Sequence, residues 1–251
     1  MKIGILKEHK FGEKRVAIVP SSVTALSKKG YEFFIESGSG DLSNYSDKKF
    51  SDAGASVVDK NSIFECDIVC KVNSPSEEEV QLLKPGTLFI SLLQTIKEID
   101  CVKSLVDKKV SAFSLNLLPR TTLAQKMDVL SSQANIAGYK AVLIASNHIG
   151  KYMPLLMTAA GTISPSKTLV IGAGVAGLQA IATAKRLGAQ VEAFDVRPEV
   201  KEQVESLGAK FVEVDSDATD GVGSGGYASE TSDEYKAKQQ ELMRERVGKS
   251  D

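Results

Sequence analysis

Short apolar segments alternate with helix-like segments from the first residue of the 251-residue chain. The apolar segments are rich in β-branched and aromatic residues and are bounded by turn-forming residues, which is typical of strands. In the first half of the chain they are 2–6, 31–35, 67–72, 87–92 and 110–113. The predicted helices between them are 20–29, 76–83 and 99–108. This alternation predicts an α/β fold with a mostly parallel sheet and helices on both faces.

A second unit is predicted from residue 131, which gives two domains, 1–130 and 131–251. Its predicted helices are 133–147, 175–187, 199–207 and 232–247, and its predicted strands are 167–171, 190–195 and 209–214. The segment 215–230 is rich in Gly, Ser and Asp, which predicts a mobile loop. We expect a partial Rossmann dinucleotide-binding domain, one half of a doubly wound sheet, incomplete at its C-terminal side.

Composition narrows the possible functions. The apolar share of 42% and the charged share of 25% fit a folded protein with a buried core. A net charge of -1 gives no basic surface for nucleic acid, and no apolar run is long enough for a membrane span. Charges within the first eight residues argue against a secretory signal. Two histidines and three cysteines without C-x-x-C spacing predict reduced thiols in the cytoplasm and no metal site.

A glycine-rich turn joins a predicted strand to a predicted helix. Its candidate cofactor-binding residues are Gly172, Gly174, Val175, Ala176 and Gly177. Gly172 permits the tight turn, Gly174 lets a pyrophosphate approach the backbone, and Gly177 allows the helix to pack closely on the strand. The phosphates would then lie at the helix N-terminus, where free N–H groups favour an anion.

An acidic residue, Asp195, ends the next predicted strand, where a carboxylate can accept hydrogen bonds from the adenosine ribose. A carboxylate there repels the 2'-phosphate of NADP, so the spacing favours NAD, although Arg197 would accommodate that phosphate. The alternative is a helix N-terminus that binds nothing. The complete order of strand, turn, helix, strand and acid favours the nucleotide.

The segment 118–140 concentrates polar groups between the two predicted domains. They include Arg120, Gln125, Asp128 and Ser131. Clefts at domain boundaries commonly bind ligands. The residues alone leave open whether the segment binds a ligand or is a solvated loop with a helix cap at Ser131 or Ser132.

Several of these segments together resemble one family. The segment 118–140 resembles the loop of the NAD(H)-binding alpha subunit of proton-translocating NAD(P) transhydrogenases that carries an Arg, a Gln and an Asp. The stretches 158–163, 172–188 and 194–208 resemble the same subunit almost continuously, and Tyr227 resembles its mobile-loop tyrosine. The chain is therefore identified as a member of the alanine dehydrogenase/transhydrogenase superfamily along essentially its whole length.

The resemblance implies roles for individual residues. Arg120, Asp128 and Ser131 would hold the nicotinamide carboxamide and its surroundings, and Gln125 would bridge toward the partner nucleotide. Arg120, Gln125 and Asp128 would thus form the catalytic set. Tyr227 would close over the bound nucleotide.

The resemblance also implies a reaction and partners. Hydride would pass directly from NADH bound to this chain to NADP+ on a partner domain, coupled by membrane-embedded partner subunits to proton translocation. The chain would be a homodimer, cytoplasmic and peripheral to the inner membrane through those partners.

Two alternatives stay open. An alanine dehydrogenase pattern matches Arg15 and Lys71, but 92–96 has no histidine to act as a proton shuttle. In the transhydrogenase interpretation, Arg15 and Lys71 are expected to be packing or salt-bridge residues. Because the family continues beyond residue 251, the chain is also expected to be a fragment or a truncated NAD-binding module, with activity alone uncertain.

Overall fold

The computed structural model describes residues 1–119, 121–214 and 233–251. The chain divides into two compact units, Met1–Met127 and Asp128–Asp251. Each unit has its own parallel sheet. Across the described ranges, no helix combines the length and the apolar character that crossing a membrane requires.

Six described strands form the parallel sheet of the first unit. They are β1 Lys2–Ile5, β2 Glu32–Glu36, β3 Ser56–Val58, β4 Ile68–Cys70, β5 Leu88–Ser91 and β6 Ser111–Ser114. The helices are α1 Pro20–Ser27, α2 Asp47–Asp52, α3 Lys60–Ile63, α4 Glu77–Leu82 and α5 Ile99–Asp107. The order β3-β2-β1-β4-β5-β6 reverses between β1 and β4, as in a doubly wound sheet. The predicted parallel sheet is confirmed.

Both faces of this sheet are covered by apolar packing. Because successive residues of a strand point to opposite faces, neighbours should belong to different cores. Ile5 packs in one cluster and Leu6 in the other. Phe33 and Ile35 lie in the first cluster, while Phe34 packs against the second. The continuous apolar character of the strands therefore reflects burial on both sides.

Three short elements of this unit were absent from the sequence prediction: α2, β3 and α3. They have six, three and four residues, too few to show a helical or strand period. The start of α3 depends on a local cap, because the Asp59 carboxylate accepts the Asn61 N–H at 2.8 Å and the Ser62 N–H at 3.1 Å.

The second unit contains the predicted dinucleotide-type sheet. Its strands are β7 Leu156–Thr158, β8 Gly161–Ile163, β9 Lys167–Ile171, β10 Gln190–Phe194 and β11 Lys210–Phe211. Its helices are α6 Val129–His148, α7 Val175–Arg186, α8 Lys201–Ser206 and α9 Asp233–Val247. Strands β11-β10-β9 are parallel in that order, and β7 pairs with β8 as an antiparallel hairpin that the sequence pattern did not predict.

Helix α6 packs closely on the first turn of α7 at Gly138. A Cβ atom at this position would lie 2.0 Å from the carbonyl oxygen of Ala176, so a side chain is excluded. One turn later, Val142 is buried in the same core cluster as Ile181 of α7. The glycine inside the predicted helix is therefore required by the packing of the two helices.

Substitution of this glycine provides a test with an unusual sign. In most helix interiors, Gly→Ala stabilises a protein by about 0.5–1 kcal/mol. We predict that Gly138→Ala destabilises the chain by about 1–3 kcal/mol, because the new methyl group overlaps backbone atoms of α7. Urea denaturation followed by circular dichroism measures this change.

The control for Gly138→Ala is Gly150→Ala, where a Cβ atom would meet nothing within 4 Å. The control is expected to change the unfolding free energy by less than about 0.5 kcal/mol. A stabilised Gly138→Ala variant would show that α6 and α7 are further apart than the structure indicates.

Candidate functional site

The turn after β9 is fixed by Gly172. This residue has φ +93°, a backbone conformation that side chains disfavour. Its N–H donates to the carbonyl oxygen of Phe194 at 2.7 Å, which ties the turn to the carboxyl end of β10. The turn therefore lies where two adjacent parallel strands end, the usual position of ligand sites in such sheets.

The two remaining glycines of the turn serve different purposes. A Cβ atom at Gly177 would lie 1.8 Å from the carbonyl oxygen of Gly172, so the helix can approach the turn only without a side chain there. A Cβ atom at Gly174 would meet nothing within 4 Å. Gly177 is thus required by packing, whereas Gly174 leaves open space in front of the backbone.

The N-terminus of α7 opens onto that space. Gly174 is the N-cap residue, and no side chain caps the helix. The first N–H groups of an uncapped helix lack intrahelical acceptors and carry partial positive charge, which favours a bound anion. Val175 and Ala176 begin this helix, so the predicted phosphate-binding residues lie together at one helix end.

The Asp195 carboxylate connects the turn to the end of β10. Its Oδ2 atom accepts the Ala173 N–H at 2.7 Å and Nη2 of Arg197 at 2.9 Å. Its Oδ1 atom accepts the backbone N–H and Nε of Arg197, each at 2.9 Å. The structure therefore brings the predicted ribose-binding acid to the glycine-rich turn, and it places Arg197 on the same carboxylate.

The charge of Asp195 is maintained by these donors. Burial alone raises the pKa of the carboxyl, but the hydrogen bonds from Arg197 and Ala173 together outweigh burial and lower the pKa below its usual value. The hydrogen bond to Asp195 likewise raises the pKa of Arg197. Asp195 is consequently an ionised acceptor at neutral pH, as a partner of hydroxyl donors should be.

Asp128 and Ser131 lie together at the start of α6. Asp128 is the N-cap, and its carboxylate accepts the Ser131 N–H at 2.9 Å and the Ser131 hydroxyl at 2.6 Å. The alternative cap at Ser131 or Ser132 is therefore wrong, because both residues lie within the first turn of the helix. This cap also explains why α6 begins four residues before the predicted 133.

The other predicted residues of this segment are more dispersed. Gln125 lies in the short 3-10 helix Ala124–Met127 and is exposed. Arg120 and Tyr227 lie outside the described residues, as do the predicted loop 215–230 and the predicted start of α9. The Ala173 N–H was missed by the sequence reasoning, since a backbone donor leaves no sequence signal of its own.

Two family models match the chain in succession. The alanine dehydrogenase/PNT N-terminal domain matches residues 4–137, and the alanine dehydrogenase/PNT C-terminal domain matches residues 141–251. The chain belongs to the alanine dehydrogenase/PNT family.

Within this family the chain is similar to both transhydrogenase subunits and alanine dehydrogenases. It is 43% identical to the first of the two-piece NAD(P) transhydrogenase alpha chains of Rhodospirillum rubrum, covering 100% of this chain and 67% of that protein. It is 41% identical to NAD(P) transhydrogenase subunit alpha of Haemophilus influenzae, covering 100% and 49%. It is 33% identical to alanine dehydrogenase of Staphylococcus haemolyticus, covering 82% and 56%. The chain thus spans between about half and two thirds of these proteins.

Solved structures give the same two groups. A transhydrogenase from Sinorhizobium meliloti matches with a TM-score of 0.83 at 43% identity, covering 85% of this chain and 64% of that one. An L-alanine dehydrogenase matches with a TM-score of 0.75 at 28% identity, covering 84% and 60%. The shared fold therefore does not separate the two activities, and individual residues have to do so.

Arg15 and Lys71 both pair with carboxylates of the first unit. Arg15 Nη2 lies 2.7 Å from Glu13 Oε2, and Arg15 Nε donates to Glu13 Oε1 at 2.8 Å. Lys71 Nζ lies 2.7 Å from Glu79 Oε2, with both side chains almost completely buried. The expectation that these cations form salt bridges is confirmed.

A further polar network, which the sequence reasoning missed, lies at the carboxyl ends of β1 and β4. The Glu8 carboxylate accepts the Val72 N–H at 2.5 Å and Nδ2 of Asn73 at 2.9 Å. Asn73 Nδ2 also donates to Glu13 at 3.0 Å. The side-chain hydrogen bond from Arg15 is the largest cause that holds the pKa of Glu13 at about 2. Glu8 and Asn73 each follow a predicted strand, and this common position was the available signal.

The buried Lys71–Glu79 pair can be tested as a stabilising element. Lys71→Met should destabilise the chain by about 3–5 kcal/mol, because it leaves an uncompensated carboxylate in the interior. Adding Glu79→Gln should recover some of this loss, since the amide removes the charge and its oxygen can still accept the Ser76 N–H. Urea denaturation of the two single variants and the double variant gives the coupling energy.

A matched control for the Lys71 substitution is Lys103→Met. Lys103 pairs with Asp100 at 3.6 Å, and both side chains are exposed. Exposed pairs of this kind contribute about 0–1 kcal/mol, so a small effect is expected. Equal losses for Lys71→Met and Lys103→Met would mean that the buried pair is solvated in the folded protein.

Proposed function

We propose that the chain is the NAD(H)-binding subunit of a proton-translocating NAD(P) transhydrogenase. The observation that carries the proposal is the Asp195 carboxylate, which is hydrogen-bonded to the Ala173 N–H of a glycine turn whose Gly174 position opens to empty space. The similarity to transhydrogenase alpha subunits over the whole chain supports the same assignment.

The second unit provides the groups that bind the nucleotide. Gly174 and the uncapped start of α7 receive the pyrophosphate, and Asp195 accepts the adenosine ribose hydroxyls. A 2'-phosphate would meet the ionised Asp195, so we propose NAD(H) rather than NADP(H) for this chain.

Positioning is the chemical task proposed for the remaining residues. The nicotinamide ring supplies the hydride when NADH is bound, so the protein need only hold and align it. In the proposed arrangement Arg120, Asp128 and Ser131 hold the carboxamide, Gln125 reaches toward the second nucleotide, and Tyr227 covers the bound one. The hydrogen bonds between Asp128 and Ser131 fix both side chains at the start of α6, which supports a holding role.

The proposal includes partner subunits. NADP(H) would be bound by a separate subunit or domain, and membrane-embedded subunits would couple hydride transfer to proton movement. We propose that the chain works as a homodimer on the cytoplasmic side of the membrane and attaches through those partners. The names of its relatives as alpha subunits support the existence of other subunits.

An alanine dehydrogenase-like activity is the second candidate, favoured by the 33% identity to an alanine dehydrogenase. That reaction needs a polar group that shuttles a proton beside the substrate carbonyl. The segment 92–96 has no histidine, and Arg15 and Lys71 are both paired with carboxylates of the protein. We therefore rank it below the transhydrogenase proposal, together with a non-catalytic NAD-binding module.

Gly174→Ala tests the nucleotide site apart from the fold. Nothing lies within 4 Å of the new methyl group, so the unfolding free energy should change by less than about 1 kcal/mol. The same methyl group occupies the space in which a pyrophosphate approaches the backbone, so NADH should bind at least about tenfold more weakly. NADH fluorescence titration measures the affinity, and the chain contains no tryptophan that would interfere.

The control for Gly174→Ala is Gly177→Ala, which should lower stability because its methyl group meets the Gly172 carbonyl oxygen. A titration of the unaltered chain with NADPH should give an affinity at least about tenfold lower than that for NADH. Unchanged NADH binding by Gly174→Ala would remove the glycine turn from the proposed site.

Gln125→Ala tests the proposed alignment of the two nucleotides. In the assembled enzyme, the rate of hydride transfer should fall by roughly ten- to a hundredfold, because small misalignments are costly in such a step. The affinity for NADH should change little, since the interaction is made mainly in the transition state. Exposed Gln81 of α4 gives the control variant, Gln81→Ala, which should behave as wild type. Normal turnover with a raised KM would make Gln125 a simple binding residue.

A further inference from the structure

Every acceptor position of the Asp195 carboxylate is filled. A carboxylate offers about four lone-pair sites, two on each oxygen. Four donors use them: the Ala173 N–H and Arg197 Nη2 on Oδ2, and the Arg197 N–H and Arg197 Nε on Oδ1, at 2.7–2.9 Å. A ribose hydroxyl that donates to this carboxylate therefore has to replace one of these donors.

The four donors differ in how easily they can leave. Two are backbone N–H groups, one in the glycine-rich turn and one directly after β10, so their release would require the backbone to move. The other two belong to the Arg197 guanidinium, whose side chain is 17% exposed and can turn into solvent. One of them lies on each carboxylate oxygen, which matches the two adjacent hydroxyls of a ribose.

We propose that Arg197 is an internal competitor of the adenosine ribose, a positioning residue that occupies Asp195 when the site is empty and must release it when a nucleotide binds. This inference rests on the proposed function. It adds that some of the binding energy of NADH is spent on breaking the Asp195–Arg197 pair.

The arrangement has a physical purpose in the empty site. The Asp195 side chain is only 6% exposed, and an uncompensated carboxylate at that depth would be strongly destabilising. The guanidinium compensates the charge in the absence of nucleotide, and the two backbone N–H groups keep the carboxylate aimed when the guanidinium leaves. The pair thus stabilises the empty protein and weakens the hold on nucleotide, which favours exchange.

Arg197→Lys is the decisive substitution. Lysine keeps the positive charge, but its single ammonium group cannot occupy both carboxylate oxygens in the forked geometry of a guanidinium. The variant should bind NADH and ADP-ribose at least about threefold more tightly than wild type. Its nucleotide-free form should melt at a lower temperature, and saturation with ADP-ribose should raise its melting temperature more than that of wild type.

Two further variants guard against loss of fold and against a simple charge effect. Arg197→Gln also opens acceptor positions on Asp195, so its affinity for ADP-ribose should rise as well. Lys201→Gln removes a neighbouring positive charge that pairs with Glu213 and does not bond to Asp195, so its affinity should match wild type. Circular dichroism establishes that each variant is folded.

The outcomes separate this inference from the proposed function. If wild type binds NADH and both Arg197 variants bind it equally well or more weakly, Arg197 assists binding and the competition is refuted. If tighter binding appears equally in Lys201→Gln, the effect is general electrostatics and the competition is again refuted. If wild type binds neither NADH nor ADP-ribose, the proposed function fails and this inference falls with it.

Discussion

The close backbone approach at the start of α7 is the constraint on which the rest of the second unit depends. A side chain is excluded on one side by the Gly172 carbonyl oxygen facing Gly177, and on the other by the Ala176 carbonyl oxygen facing Gly138. The N-terminus of α7 is therefore held between the turn after β9 and helix α6. Because interiors are close-packed, a displacement at either contact would move the uncapped N–H groups that face the open Gly174 position.

The same contact connects the two groups of candidate residues. Helix α6 carries Ser131 in its first turn and Gly138 two turns later, so both move with one rigid element. At a rise of about 1.5 Å per residue, the seven residues between them span roughly 10 Å. The Asp128–Ser131 cap and the glycine turn are thus held in fixed register within the second unit, which a site for an extended dinucleotide requires.

Much of this could be predicted from the sequence, and the exceptions have physical causes. The long apolar strands, the glycine turn and Asp195 carry strong local signals, because each depends on its own residues. Short elements such as β3 and α3 depend on neighbouring strands or on a cap. The need for glycine at position 138 and the pairing of Arg197 with Asp195 depend on tertiary distances of 2.0 Å and 2.9 Å, which no local pattern encodes.

The distinction between the two activities of the family depends on where positive charge is left available. Hydride transfer between two nicotinamide rings needs no protein acid or base, so its site tolerates cations that are fully paired. Oxidation of an amino acid needs polar groups free to bind the substrate and move its proton. Lys71 is buried on Glu79 and Arg15 is bonded to Glu13, and to release either one a substrate would have to displace a carboxylate of the protein. For Lys71 that displacement would leave Glu79 in the interior without its closest cation, a state that is strongly unfavourable. The first unit is therefore compatible with a scaffold role in a transhydrogenase and poorly suited to hold an amino-acid substrate.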